Sequence, residues 1–184
     1  MARSVPNTRE RIQEVALEMF ARQGVQRTSL QDIANRLGIT KPALYYHFSS
    51  REDLVRSIVQ PLIQEGDELV VRHERRNVVV VSELLTDYFD FHYRHREKLM
   101  LVLAELRILG EVESIDAALD WRRRLVRLVF GADPTLDQAA RAIMAFGGIQ
   151  DCCLQLPEVP PERLRTAAVG AALTVLGAAG NGTT

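Results

Sequence analysis

Apolar residues recur along this chain at intervals of three and four, the period of helices with one buried face, and no segment sustains the period of two of a half-buried strand. The pattern predicts an all-α protein of about nine helices. Ile12, Val15, Ala16, Met19 and Phe20 stripe the first, which Asn7 and Glu10 can cap and Gly24 can end. Leu30, Ile33, Ala34 and Leu37 stripe a short second helix, with Thr28 and Gln31 at the spacing of a capping box. Gly38 offers the left-handed stop, Thr40 a cap for the next helix, and Pro42 falls in its first turn, where a missing N–H costs nothing. In that third helix only Leu44 and Phe48 are apolar at i, i+4, so Lys41, Pro42, Tyr45, Tyr46 and His47 face elsewhere. Ser49 to Asp53 spells another capped start, followed by Leu54, Val55 and Ile58 and by Pro61, where a kink or break is expected.

Two short helices joined by a glycine turn and backed by a third form a helix-turn-helix, expected over residues 1–50. The outer face of its last helix, with a cation, phenols and an imidazole, suits phosphates and base edges. Residues 51–184 form the second expected domain. Val81, Leu84, Leu85, Tyr88, Phe89 and His92 stripe one helix there, and Leu99, Val102, Leu103 and Leu106 the next. A third, from about Ser114 to Phe130, carries Trp121, Leu125, Leu128 and Val129 inward and Arg123, Arg124 and Arg127 outward, with Asp120 placed to pair with Arg124 at i+4. Asp133-Pro134 opens a helix apolar nearly all round from Ala139 to Ile149, and Pro160-Pro161 opens the last. A helix apolar on every side is buried on two, and a second subunit packed through Ala145, Gly147, Gly148, Ala168 and Ala172 supplies the second cover most easily.

Charge separates the two parts further. The first sixty residues hold nine Lys/Arg and six Asp/Glu, net +3, against −4 for the remainder, the asymmetry expected of a phosphate-binding module on an acidic partner domain. With 47% hydrophobic residues, the chain can fill a core without staples. The only cysteines, Cys152 and Cys153, are adjacent in an apolar stretch, which suggests buried free thiols in a reducing cytoplasm and leaves any redox role open. No long apolar run follows the N-terminal arginines, and the stretch from Thr166 to Gly180 is too short to cross a bilayer, so neither a signal peptide nor a membrane span is expected.

The sequence order is a supporting helix ending near Gly24, then Thr28-Ser29-Leu30, Gly38-Ile39-Thr40, Ala43-Leu44-Tyr45-Tyr46-His47-Phe48 and Arg51-Glu52-Asp53-Leu54. It closely resembles the TetR family of bacterial one-component regulators over about its first sixty residues. The resemblance implies a DNA-binding transcriptional regulator of the cytoplasm, usually a repressor, that holds a palindromic operator as a homodimer and is released by a small molecule. It also implies that Thr28, Tyr46 and Arg51 contact phosphates, with arginine at 51 where the family more often has lysine. Gln31, Thr40, Lys41, Pro42, Ala43, Tyr45 and His47 are then candidates for base-edge and nearby backbone contacts.

Inward residues of the second domain, namely Tyr88, His92, Leu103, Leu106, Trp121, Phe130, Met144, Phe146 and Gln150, outline a mainly apolar effector pocket and hence a small hydrophobic or aromatic ligand. Enzyme chemistry is not expected. The chain has no phosphate loop, nucleophile elbow or spaced carboxylate pair, and His92 with His95 lacks the third ligand a metal would need, so no cofactor or metal is assigned. The alternative is a helical interaction protein whose helix-turn-helix docks on another protein.

Overall fold

The computed structural model describes residues 7–105 and 112–177, and side chains other than those of 100–119. Among the described residues it is all helical, with eight helices: α1 Thr8–Gln23, α2 Leu30–Leu37, α3 Lys41–His47, α4 Arg51–Glu74, α5 Val81–Glu105, α6 Val112–Phe130, α7 Leu136–Gln155 and α8 Pro161–Leu176. The two stripes expected as separate helices, around Tyr88 and around Leu99, lie on the single α5, since neither glycine nor proline separates them. The chain divides into two compact units, Met1–Leu62 with Glu97–Glu111, and Ile63–Arg96 with Val112–Thr184.

In the first unit, burial follows the apolar spacing. Ile12, Ala16 and Phe20 of α1, Leu30, Ile33 and Ala34 of α2, Leu44 of α3, and Leu54, Val55 and Ile58 of α4 are all buried. Asn7 and Glu10 form the expected capping box. The box of α2 falls one residue later than the sequence suggested: Ser29 and Asp32 exchange bonds of 3.1 and 3.0 Å, and Gln31 instead bonds Asn35 along the helix. Thr28 is fully buried, with its hydroxyl donating to the Gly24 carbonyl at 2.9 Å. Gly38 closes α2 at φ 67°, a backbone region where a Cβ is disfavoured.

Pro61 does not end α4, which continues from Arg51 to Glu74. A proline leaves the carbonyl four residues back without its helical donor. That carbonyl, of Ser57, accepts instead from Gln13 Nε2 at 3.2 Å, and the same amide reaches Ser57 Oγ at 2.9 Å.

In the second unit the core is built from Leu84, Leu85, Tyr88, Phe89, Leu125, Phe146, Ile149, Leu164 and their neighbours. Arg124 does not pair with Asp120. It reaches α4, where Glu74 takes two bonds of 2.8 and 2.7 Å and Asp67 a third. Two carboxylates from one helix outcompete a single i+4 partner, and the Arg124 bonds hold the Glu74 carboxyl below its usual range. Cys153 is buried, and burial pushes its thiol up to about 12, which leaves it almost no reactive thiolate near neutral pH.

Candidate nucleic-acid interface and effector site

The outer face of α3 is fixed by what lies beneath it. Leu44 and the flanking Phe48 are fully buried, which turns Tyr45 and Tyr46 outward at 44% and 87% exposure. Thr40 caps the helix start, accepting from the Ala43 amide. Lys41, Pro42 and Ala43 are exposed, as is Gln31 on α2, and the Lys41 ammonium lies 5.5 Å from the Tyr45 ring centroid. His47 is half-buried, edge-on to Tyr46 with centroids 5.3 Å apart. The other end of α3 is held by Arg9 of α1, whose Nη1 donates to the His47 carbonyl at 3.0 Å while its guanidinium covers the Phe48 ring at 4.4 Å. Arg9 was not picked out by sequence, because a clamp thirty-eight residues away leaves no local spacing.

Two of the expected DNA contacts are placed differently. Thr28 points inward, as described. Arg51 has its guanidinium tied to the loop before α2: Nη1 reaches the carbonyls of Val25 and Gln26 at 3.4 and 3.3 Å, and Nη2 reaches Gln26 Oε1 at 3.2 Å and Glu52 at 3.4 Å. The planar fork that would suit a phosphate is spent on internal acceptors. Carboxylates at these helix starts are held low: Asp32 by the Ser29 hydroxyl, and Asp53 by the Ser49 amide.

The second unit gathers five of the expected effector residues. Tyr88 and His92, one turn apart on α5, have ring centroids 4.0 Å apart; Trp121 of α6 stacks at 5.5 Å from Tyr88 and 5.8 Å from His92, and Phe146 of α7 stands edge-on to Tyr88 at 4.9 Å. Gln150, one turn beyond Phe146, accepts from Arg122 at 2.8 Å. His92 donates Nδ1–H to the Tyr88 carbonyl at 2.9 Å, and burial pulls its pKa down to about 4, so its ring is neutral at physiological pH. Trp121 also lies against α4, where a Cβ at Gly66 would stand 3.5 Å from its ring.

The remaining effector candidates divide. Phe130 is half-buried against the same core. Met144 is 66% exposed, because Ala142, Ala145, Phe146 and Ile149 define the buried face of α7 and Met144 falls opposite. The side chains of Leu103 and Leu106 lie outside the described residues. Arg122 and Phe91, whose ring centroid stands 5.7 Å from that of Trp121, join the cluster without having been singled out. A separate cleft of about 190 Å³ between α4 and α5 is lined by Glu65, Leu69, Arg72, Asp87, Asp90, Phe91 and Arg94. Its charges are largely paired already, Arg72 and His73 with Asp87, and Arg165 with Asp90.

A capped two-helix turn backed by α1 and presenting the exposed α3 defines a helix-turn-helix protein. Residues 12–58 match the family model described as bacterial regulatory proteins, tetR family, so the helix-turn-helix part of the chain is of that type. It is 29% identical over 118 residues to the HTH-type transcriptional regulator AcrR of Shigella flexneri, a match covering 60% of this chain and 55% of AcrR. It is 38% identical over 72 residues to TtgR of Pseudomonas putida, covering 39% of this chain and 34% of TtgR. The chain thus matches only a third to about half of the length of these two relatives. The fold is shared more widely: the crystal structure of Mycobacterium smegmatis AmtR superposes with a TM-score of 0.78 at 21% identity, covering 95% of this chain and 88% of that one. Among the described residues no helix is long and apolar enough to cross a membrane.

Proposed function

We propose that this protein is a DNA-binding repressor that holds a palindromic operator as a homodimer and is released by a small, mainly hydrophobic molecule. The observation that carries the DNA-binding reading is the outer face of α3, where two tyrosines and a lysine stand exposed over a buried leucine. Phenol hydroxyls and an ammonium serve phosphates and base edges, whereas an apolar protein partner would leave them unpaired. Tyr46 takes the role of phosphate contact, and Lys41, Tyr45, Gln31 and the Thr40–Ala43 turn that of reading sequence. Thr28 and Arg51 support the unit from inside.

The dimer reading rests on the outward faces of α7 and α8. Ile143 and Met144 are 57% and 66% exposed, and Gly148, Ala167, Gly170 and Ala171 add an exposed strip of small residues beside them. Ala145, Ala168 and Ala172, expected at the interface, are buried within the subunit, so the proposed seam uses the opposite faces. The effector is placed among α5, α6 and α7. Its signal travels through α4, a single helix from Arg51 to Glu74, since Trp121 rests on Gly66 of that helix. Two recognition helices must enter major grooves about 34 Å apart, so a small swing of each α4 spoils the spacing. A gel shift on DNA upstream of the gene tests the reading: a salt-sensitive complex of two chains per site is expected. Binding no tighter than to random DNA would overturn it.

A further inference from the structure

The ring cluster of α5, α6 and α7 carries hydrogen-bond donors that the protein itself does not use. Trp121 Nε1 is buried with no partner among the described residues, and Tyr88 Oη, also buried, is approached by the Arg122 guanidinium, an N–H donor that leaves the hydroxyl's own proton without an acceptor. An indole N–H only donates, so it stays unsatisfied until an acceptor arrives. Buried polar groups left in this state are costly, and these two sit on stacked rings 5.5 Å apart. Beside them stands Arg122. It is half-buried, bonds Gln150 Oε1, and forms no ion pair among the described residues, not even with the exposed Asp151 next to Gln150 on α7. Burial disfavours ionisation of the Tyr88 hydroxyl, while the charge and an N–H of Arg122 favour it, which places the guanidinium beside that oxygen.

We propose that this cluster recognises the carboxylate of a small aromatic acid, with Arg122, Trp121 Nε1 and Tyr88 Oη as its donors and the rings of Tyr88, Trp121, His92 and Phe146 as its walls. A guanidinium beside two neutral donors suits two carboxylate oxygens, which together can accept about four hydrogen bonds. Stacked and edge-on rings suit a flat apolar body better than a bare inorganic anion. A neutral ligand would leave Arg122, which has no ion pair among the described residues, without a counter-charge. The proposal names the class of effector for the ligand-controlled repressor above, and rests on that reading only for its consequence at DNA.

Trp121 is the only tryptophan of the chain, so its fluorescence reports this cluster directly. The full-length protein is titrated with benzoate and, in parallel, with benzamide, which keeps the ring and removes the charge. Saturable binding is expected, with benzoate about tenfold or more tighter than benzamide, the loss typical of a charge-assisted bond. Arg122→Met should bring the two ligands to within about twofold of each other, and Tyr88→Phe, which removes one oxygen and keeps the ring stack, should weaken benzoate severalfold. Tyr88→Phe keeps the test decisive if Arg122→Met does not fold. Equal affinity for acid and amide, an unchanged preference in both variants, or no Trp121 response to benzoate up to tens of millimolar would overturn the proposal. A gel shift run in saturating benzoate separates the two readings. Acid binding without any effect on an established DNA complex would leave the carboxylate site standing and remove its role as a switch.

Discussion

Pro61 has no N–H, and the Ser57 carbonyl is kept satisfied only because Gln13 reaches across from α1. The proline was legible in the sequence as a hazard to the helix; its remedy was not, because it depends on a residue forty-four positions away. Replacing Gln13 with Ala should therefore cost about 1 kcal/mol by urea denaturation, the usual worth of a half-buried bond. In a Pro61→Ala background, where the helix supplies its own donor to the Ser57 carbonyl, the same change should cost less, since only the bond to Ser57 Oγ is then lost. Equal losses in both backgrounds would show that Gln13 matters through Ser57 Oγ alone. His92 gives a second prediction at this scale. Burial, joined by the charges of Arg122 and His95, lowers its pKa from 6.5 to about 4, with only the Tyr88 carbonyl acting the other way. Between these values the unfolded chain takes up a proton that the folded one refuses, so stability falls as pH drops from about 6.5 to 4 and levels below that. The full difference is about 3 kcal/mol. Denaturation across this range should show a loss that His92→Phe removes; parallel pH profiles for the two proteins would refute the assignment.

At the scale of elements, the sequence was most readable where spacing and punctuation agree. The buried faces of α1 and α2 and the exposed face of α3 follow from apolar residues at i, i+3 and i+4, and from Gly24 and Gly38 at positive φ. Capping was misread by one position, because Thr28-Ser29 offers two hydroxyls and each has a polar residue three places on. Only packing decides between them, and the buried Thr28 turns back to Gly24. Arg51 is expected from the sequence at a phosphate, but a basic residue at a helix start suits a neighbouring loop equally well. The structure assigns its donors to Val25, Gln26 and Glu52. Arg51→Ala should then lower unfolding stability by roughly 1.5–3 kcal/mol, the range for bonds to a charged group, and leave the slope of log affinity against log salt unchanged. Lys41→Ala should instead leave stability intact and change the preference among operator variants, as the loss of a base-edge contact does. A slope reduced by about one in Arg51→Ala would mean that the guanidinium leaves the loop and binds phosphate in the complex.

For the whole molecule, the proposed dimer turns on which side of α7 is free to meet a second subunit. A helix apolar all round calls for two covers without saying which residues meet which. The structure answers half of it: Ala142, Ala145, Phe146 and Ile149 meet the core of their own unit, together with Ala168, Val169 and Ala172 of α8. Ile143, Met144 and Gly148 are what remains. Gly148 makes the sharpest test, because a Cβ built there has nothing within 4 Å. A larger residue therefore meets no clash inside the subunit, and replacing a mid-helix glycine should raise rather than lower helix stability, by up to about 1 kcal/mol. Gly148→Glu is expected to fold with an unchanged or higher melting temperature yet run as a monomer by light scattering, while the unmodified protein runs as a dimer. Operator binding should fall with it, since one helix-turn-helix alone has a single half-site to hold. A Gly148→Glu protein that remains dimeric would place the seam elsewhere. An unmodified protein that is monomeric at micromolar concentration would remove the dimer altogether, and the palindromic operator with it.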